Sequence, residues 1–355
     1  MSRIFLYLSL KYIKIFSVIF AGLILFYIGF DYLSATKWLP ESANIRMLYL
    51  YYNAQFASDI LLPLALVFAM IATKLLLIRS NELVAFYSIG YTKWNVLKPF
   101  VYVSLIVTVL YIAAHATNYA YAKEYVSNIS NKGTLSRTTQ DLFFKYKDYY
   151  VYFDTLHPLA KKGDNLRIFH EKNRDVVEII RAKEAFYRDD KWYIPSAKKF
   201  LKSSEIDFEE KVVERFEDKN IQILEGFKPE ILDHIHQGKV TYSIMDAFEA
   251  ISLLDEQKSN ADKVYSALYT MIIYPLFAPA LILIIFFFVP ISSRSLNVSL
   301  FSFLALLATL GSWGILFLLR RLTQGGIFTP EVGIILPVLL IFLTAIIVWF
   351  KKARR

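Results

Sequence analysis

Six stretches of this sequence are too apolar and too long for a soluble core to bury. They are Ile15–Phe30, Ile60–Ile78, Pro99–Ala122, Val264–Ser293, Ser295–Leu319 and Val332–Phe350. Five carry no charge, and the second carries one, Lys74, near its end. A helix of roughly 20 apolar residues crosses about 30 Å of hydrocarbon. In lipid only helices and closed barrels satisfy every backbone group internally. The pattern therefore predicts six transmembrane helices, three on each side of a long hydrophilic insert. Lys11, Lys14 and Asp31 extend the short first run by placing their charged ends at the interface. That run exceeds the apolar core of a signal peptide, and Asp31, Tyr32 and Leu33 follow it in place of a small-residue cleavage site. It reads as a retained first helix, with Lys74 snorkelling from the second.

Lys and Arg in short loops set orientation. One side holds Arg3, Lys11, Lys14, Lys74, Arg79, Lys93, Lys98, Arg294, Lys351, Lys352, Arg354 and Arg355. The other holds only Lys37, Arg46, Arg320 and Arg321. The richer side is expected to be cytoplasmic, with both termini inside and the insert outside. The insert, residues 123–263, contains 24 of the 40 basic and 26 of the 31 acidic residues. The basic excess therefore belongs to the membrane part, where it reports topology and contact with anionic headgroups; it gives no support for nucleic-acid binding.

The insert is long enough to own a core, and its apolar period is mostly two. Strand candidates are Phe144–Lys147, Tyr150–Phe153, Leu166–His170, Val176–Ala185, Lys191–Ile194, Glu205–Phe208, Val212–Phe216 and Asn220–Leu224. Turn signals fall at Lys162–Asn165, Asn173–Asp175 and Asp189–Asp190. Short strands so spaced read as a sandwich, jelly roll or open barrel. From Ser243 the period changes: Met245, Phe248, Ile251 and Leu254 recur at helical spacing. The expected fold is an α-helical integral membrane protein with six transmembrane helices and an all-β, jelly-roll-like domain inserted between helices 3 and 4. Its parts are residues 1–122 (helices 1–3), 123–242 (β-domain), 243–263 (connecting helix) and 264–355 (helices 4–6). An exposed edge of the β-domain, along Tyr149–Phe153 or Ile221–Leu224, is expected to extend a neighbouring sheet.

Several chemistries find no residues. The chain has no cysteine, which excludes disulfides, zinc–thiolate sites and thiol catalysis. No phosphate-binding loop, H-E-x-x-H or G-x-S-x-G motif occurs. His234-x-His236 lacks partners at ligand spacing and reads as a solvated loop pair. No charge lies in mid-span of helices three to six, where an ion-coupled carrier keeps one. A chain that spans the membrane without an energy source of its own reads as a subunit of a larger machine.

The loop between helices two and three, Arg79–Thr92, encodes a short helix. Ser80 is expected to cap it, Glu82 favours the positive end of its dipole, and Gly90 closes it. Leu83, Phe86 and Tyr87 fall on one face. Such a helix lies in the interface or docks into a groove of a soluble partner.

The string R-S-x-E-L-V-x-x-x-S-x-G-[YF]-[TS] here resembles the cytoplasmic coupling helix of the LptF/LptG permease family. The three-plus-three arrangement, Tyr150–Leu156, the Asn173–Lys183 hairpin, and Ile273–Pro279 with Pro290 are similar to the same family. Val151–Leu156 and the Asp31…Lys37 end of helix one look more like LptG than LptF. The resemblance implies a permease subunit of an ABC transporter that extracts lipopolysaccharide from the inner membrane of a Gram-negative bacterium. It implies a second permease paralogue, two copies of the ATPase LptB, and a periplasmic bridge beginning with LptC. The chain itself would need no cofactor; ATP and Mg would bind the partner ATPase. Arg79, Ser80, Glu82, Leu83, Phe86, Tyr87 and Gly90 would couple to that ATPase. Asp31 and Lys37 are implied lipid-binding candidates. Arg320 and Arg321, at the outer end of helix five, join them, because a guanidinium fork suits phosphate; a solvated helix-end pair is the plainer reading. Helix five, with Gly311 and Gly314, lines an acyl-chain cavity or faces lipid, and prolines in the fourth span kink it for bending or for packing. Two alternatives stand beside this one. A four-span lipoprotein-release or other lipid-export permease carries its outer domain after helix one, unlike this chain. A membrane-anchored receptor or enzyme acting through the β-domain would need a nucleophile–base pair, and none is readable.

Overall fold

The computed structural model describes residues 3–132, 138–146, 149–158, 160–172, 175–189, 191–202, 213–224, 228–229, 231–233, 241–256, 260–288 and 297–352. The chain forms two compact units, Met1–Ser130 with Tyr265–Arg355, and Asn131–Val264. Six helical segments are long and apolar enough to cross a membrane.

The first unit begins with α1 (Arg3–Ala35), α2 (Ala43–Arg79), the short α3 (Glu82–Ser88) and α4 (Lys93–Ala114). With 37 residues, α2 is about 55 Å long at 1.5 Å per residue. It packs against α1 and carries the buried row Leu64–Val67, Ala69, Met70 and Ile71. α1 by contrast buries little of its apolar stretch. The third span ends at Ala114, short of the expected Ala122. A 3-10 turn (Asn118–Tyr121) and α5 (Ala122–Lys132) follow.

The fourth span is broken. Proline lacks a backbone donor, and at Pro275 the chain passes from α7 (Asp262–Ile272) through a 3-10 turn (Tyr274–Leu276) into α8 (Phe277–Phe288). Pro279 lies in the first turn of α8, and Pro290 falls outside the described residues. α9 (Val298–Gln324) is the fifth span. The sixth opens with a π-helical turn, Glu331–Ile335, and continues as α10 (Leu336–Lys352). There Gly333 lies so close to α9 that an added Cβ would stand 1.7 Å from Thr323 Oγ1.

Lys74 does not snorkel. It is 2% exposed, and its ammonium donates to the carbonyl of Phe286 in the last turn of α8, 3.7 Å from the centre of that ring. The last carbonyls of a helix lack intrahelical donors and form its negative end. A buried amine donor answers that lack and fastens span two to span four.

The second unit holds one six-stranded antiparallel sheet among the described residues, its strands in chain order. They are β1 (Thr139–Tyr146), β2 (Tyr149–His157), β3 (Lys162–Lys172), β4 (Asp175–Arg188), β5 (Lys191–Lys202) and β6 (Val213–Ile223). Lys162–Asn165 is therefore strand. The turn precedes it, where Lys161 takes φ 51° and its N–H returns to the Pro158 carbonyl. Tyr149–Phe153 lies in β2, paired on both sides, so it is no edge; β1 and β6 are the edges, and Ile221–Ile223 belongs to β6. Trp192, Phe153, Leu166, Ile168 and Ile194 bury one face. Glu205–Phe208, His234 and His236 lie outside the described residues. In α6 (Ile244–Glu256) Ser243 accepts the Asp246 N–H at 3.1 Å, a side-chain cap. Its buried face is Ala247, Ala250 and Leu254; Met245 and Phe248 are exposed. Apolar spacing identified the helix, but the small residues one turn aside face inward.

Candidate functional site

The loop after α2 folds tightly. Asn81, not Ser80, occupies the cap position of α3; it adopts φ 58°, and its side chain makes no capping bond. Ser80 instead ends α2 and donates its hydroxyl to the Leu76 carbonyl and to Glu82 Oε1 at 2.9 and 2.8 Å. The α3 C-terminus is closed by two reversed bonds, Tyr91 N to Phe86 O at 3.1 Å and Gly90 N to Tyr87 O at 3.0 Å. That pattern requires a left-handed residue at position 90, and Gly90 has φ 96°. Leu83 is buried, with Phe86 and Tyr87 packed on the same core. Val84, Ala85, Ser88 and Ile89 face outward, Ile89 being 73% exposed.

Glu82 is engaged within the chain. Lys11 Nζ of α1 meets both carboxylate oxygens, at 2.8 and 2.9 Å, and Tyr7 donates to Oε2 at 2.7 Å. The Tyr7 ring also meets Phe86 edge-on at 6.5 Å. Burial pushes the Glu82 carboxyl up, but hydrogen bonds from Lys11, Tyr7 and Ser80 outweigh it and hold it below the usual carboxylate range. Sequence spacing missed Lys11 and Tyr7 because they lie some seventy residues away. The one local signal was a tyrosine and a lysine four apart on one helix face. Arg79 closes the last turn of α2.

At the opposite ends of the spans a second polar cluster forms. Pro63 has no N–H, which frees the carbonyl of Asp59 one turn earlier. Tyr111 donates to that carbonyl at 3.3 Å and also to the Asp59 carboxylate. His115 sits between the Asp59 carboxylate and the Tyr111 carbonyl, 3.0 Å from each. Both ring nitrogens thus lie within hydrogen-bond reach of an oxygen. Arg320 stacks 5.2 Å from the Tyr274 ring and 5.1 Å from Phe317, and Arg321 lies 5.2 Å from Phe317. The Arg320 Nε is buried without a hydrogen-bond partner. Burial, then the fields of Arg321 and Arg320, hold the Lys123 amine below its usual range, with Asp59 acting against them. Asp59 thus feels His115 and Arg320 and in turn acts on Lys123. Arg320 and Arg321 lie within α9, which runs on to Gln324.

Asp31 and Lys37 are not part of that cluster. Asp31 accepts from Tyr49 and Asn53 of α2, at 2.5 and 2.7 Å, and so ties α1 to α2. Lys37 is exposed in the turn after α1. No hydrogen bond, ion pair or ring contact among the described residues joins either to Arg320 or Arg321.

A search of curated proteins finds no significant match to the chain. The family model described as lipopolysaccharide export system permease LptF/LptG matches residues 6–352. With six spans, an antiparallel sheet between the third and fourth, and a match over nearly its whole length, the chain belongs to the LptF/LptG family of lipopolysaccharide export permeases.

Proposed function

We propose that this chain is the LptG-like subunit of an ABC transporter that extracts lipopolysaccharide from the inner membrane and hands it to a periplasmic bridge. In this reading both termini and α3 are cytoplasmic and the sheet is periplasmic, as the distribution of Lys and Arg favours. A second permease paralogue completes the lipid cavity, two LptB subunits bind ATP and Mg, and an LptC-like protein begins the bridge.

The observation that carries the reading is the built form of α3. A seven-residue helix would not hold alone in water. Here it is closed at Gly90, seated by Leu83 and latched to α1 through Glu82, while Val84, Ser88 and Ile89 face outward. A fixed helix with an exposed apolar edge suits a groove on a soluble partner. Arg79 lies at the entrance to this loop. Arg320 and Arg321 are assigned to the lipid's phosphates, with Asp59 offsetting the charge of Arg320 when no lipid is bound. Asp31 fastens α1 and α2, and Lys37 remains exposed for the headgroup.

Purification in mild detergent with mass spectrometry tests the assembly. It should recover an ATPase and a second permease, and Ile89→Asp should lose the ATPase while the chain still inserts. A cysteine at Lys162 should label from outside and one at Asn81 only from the cytoplasm. Recovery of the chain alone, or reversed labelling, defeats the reading.

A further inference from the structure

One face of the sheet buries Trp192 and Phe153; the other carries a row of cations across its middle strands. Arg167 of β3 stands directly opposite Arg181 of β4, and Arg181 directly opposite Lys198 of β5. All three side chains are exposed, and Lys183 joins them at a pocket of about 310 Å³ lined also by Asn165 and Ser196. None of the four forms an ion pair with a carboxylate among the described residues.

Like charges directly opposite on neighbouring strands destabilise a sheet. Lysines on edge strands guard against unwanted pairing, but β3, β4 and β5 are interior strands of the six, so that explanation does not apply. The guanidinium groups are also supported. Arg167 lies 5.5 Å from the Tyr152 ring and Arg181 5.2 Å from the Phe200 ring. Stacking holds the planar donor fork in place, which lowers the ordering cost of a bidentate contact. Amide and hydroxyl groups of Asn165 and Ser196 complete a lining that offers hydrogen bonds beside the charge.

We propose that this face is an anion site for a ligand bearing two or more phosphates, with Arg181 at its centre and Arg167 and Lys198 on either side. Adjacent strands stand about 4.7–4.9 Å apart, so the row presents positive charge over roughly 10 Å. A single phosphate engages part of it, and two linked phosphates engage all of it. Assigning those phosphates to the headgroup of the exported lipid rests on the transport reading above; the site itself rests on the row.

The test is hydrogen exchange of the full chain in mild detergent. The probes are sodium tripolyphosphate, inorganic phosphate, and micelles of lipid A with and without its phosphates. Tripolyphosphate should protect peptides of β4 and β5, with half-saturation about tenfold higher in Arg181→Gln, as expected for losing one charged hydrogen-bonding group. Arg188→Gln, an equal charge change away from the pocket, should leave the response unchanged. Protection by phosphorylated but not dephosphorylated lipid assigns the site to a headgroup; protection by tripolyphosphate alone assigns it to a soluble polyphosphate. Because Arg181→Gln relieves repulsion, its melting temperature should not fall; if it does, Lys198→Gln replaces it in the same titration. No protection of β4 and β5, or equal weakening by Arg188→Gln, overturns the site. Recovery of ATPase and paralogue with wild-type chain under those outcomes leaves the transport reading standing and removes this one alone.

Discussion

Removing Lys11 should damage coupling as much as removing Glu82, although Lys11 lies on another helix. The Glu82 carboxylate receives Lys11 at 2.8 and 2.9 Å, Tyr7 at 2.7 Å and Ser80 at 2.8 Å. Exposed ion pairs contribute about 0.2–1 kcal/mol, and hydrogen bonds to charged groups about 1.5–3 kcal/mol. Side-chain exposures of 23% for Lys11 and 29% for Glu82 place this pair between those limits. A double-mutant cycle with Lys11→Met and Glu82→Gln should therefore give a coupling energy of about 1–2 kcal/mol, or roughly a 5–30-fold change in the opening of α3. Amide exchange at Leu83–Tyr91 and ATPase recovery in detergent read the two consequences. Each single variant should speed exchange and weaken recovery, and the double variant should add little. The sign with pH follows from the depressed carboxyl. A group whose folded value lies below its unfolded one stabilises above the unfolded value and loses that contribution as pH falls through the folded one. α3 should thus stay protected at neutral pH and open only as pH falls below the ordinary value of 4.5. If Lys11→Met assembles and transports like wild type while Glu82→Gln does not, the latch is wrong and Glu82 acts directly on the partner.

Two further outcomes follow from the fold. Photo-crosslinkers at Phe143 on β1 and Ile221 on β6 should capture a neighbouring β-domain, whereas the same probe at Val151 of β2 should not; capture only from β2 would contradict the strand order. Gly333→Ala should lower thermal stability by about 1–3 kcal/mol through the clash with Thr323, and Thr323→Ala in the same chain should restore most of it; equal losses with and without Thr323→Ala would refute the close approach.

The six spans and the inserted sheet were legible because hydrophobic length and period are local properties. So was Gly90, since a helix stop has a residue-level signature. Long-range satisfaction was not legible. Lys74 reads as a snorkelling lysine until Phe286, more than two hundred residues later, supplies its carbonyl. Ser80 reads as a cap until Glu82 and Leu76 claim its hydroxyl. Asp31 reads as a lipid contact until Tyr49 and Asn53 take it. The Asp59–Tyr111–His115 cluster was missed for the same reason: each residue is unremarkable alone, and only the bundle brings them together. Lys162–Asn165 carries turn residues, yet pairing with β2 and β4 overrides that preference.

α1 and α2 are joined near both ends, by Asp31 with Tyr49 and Asn53 at one and by Lys11 with Glu82, just past α2, at the other. Two beams pinned at two separated points cannot scissor; they swing as a single plank. A push on α3 therefore does not pry α1 from α2. It tilts both, and over about 55 Å a tilt of about 5° sweeps the far end through about 5 Å. The seam that parts under such a stroke is then the border between the plank and its neighbours, α4 beside α1 and α8 beside α2, where Lys74 holds the Phe286 carbonyl.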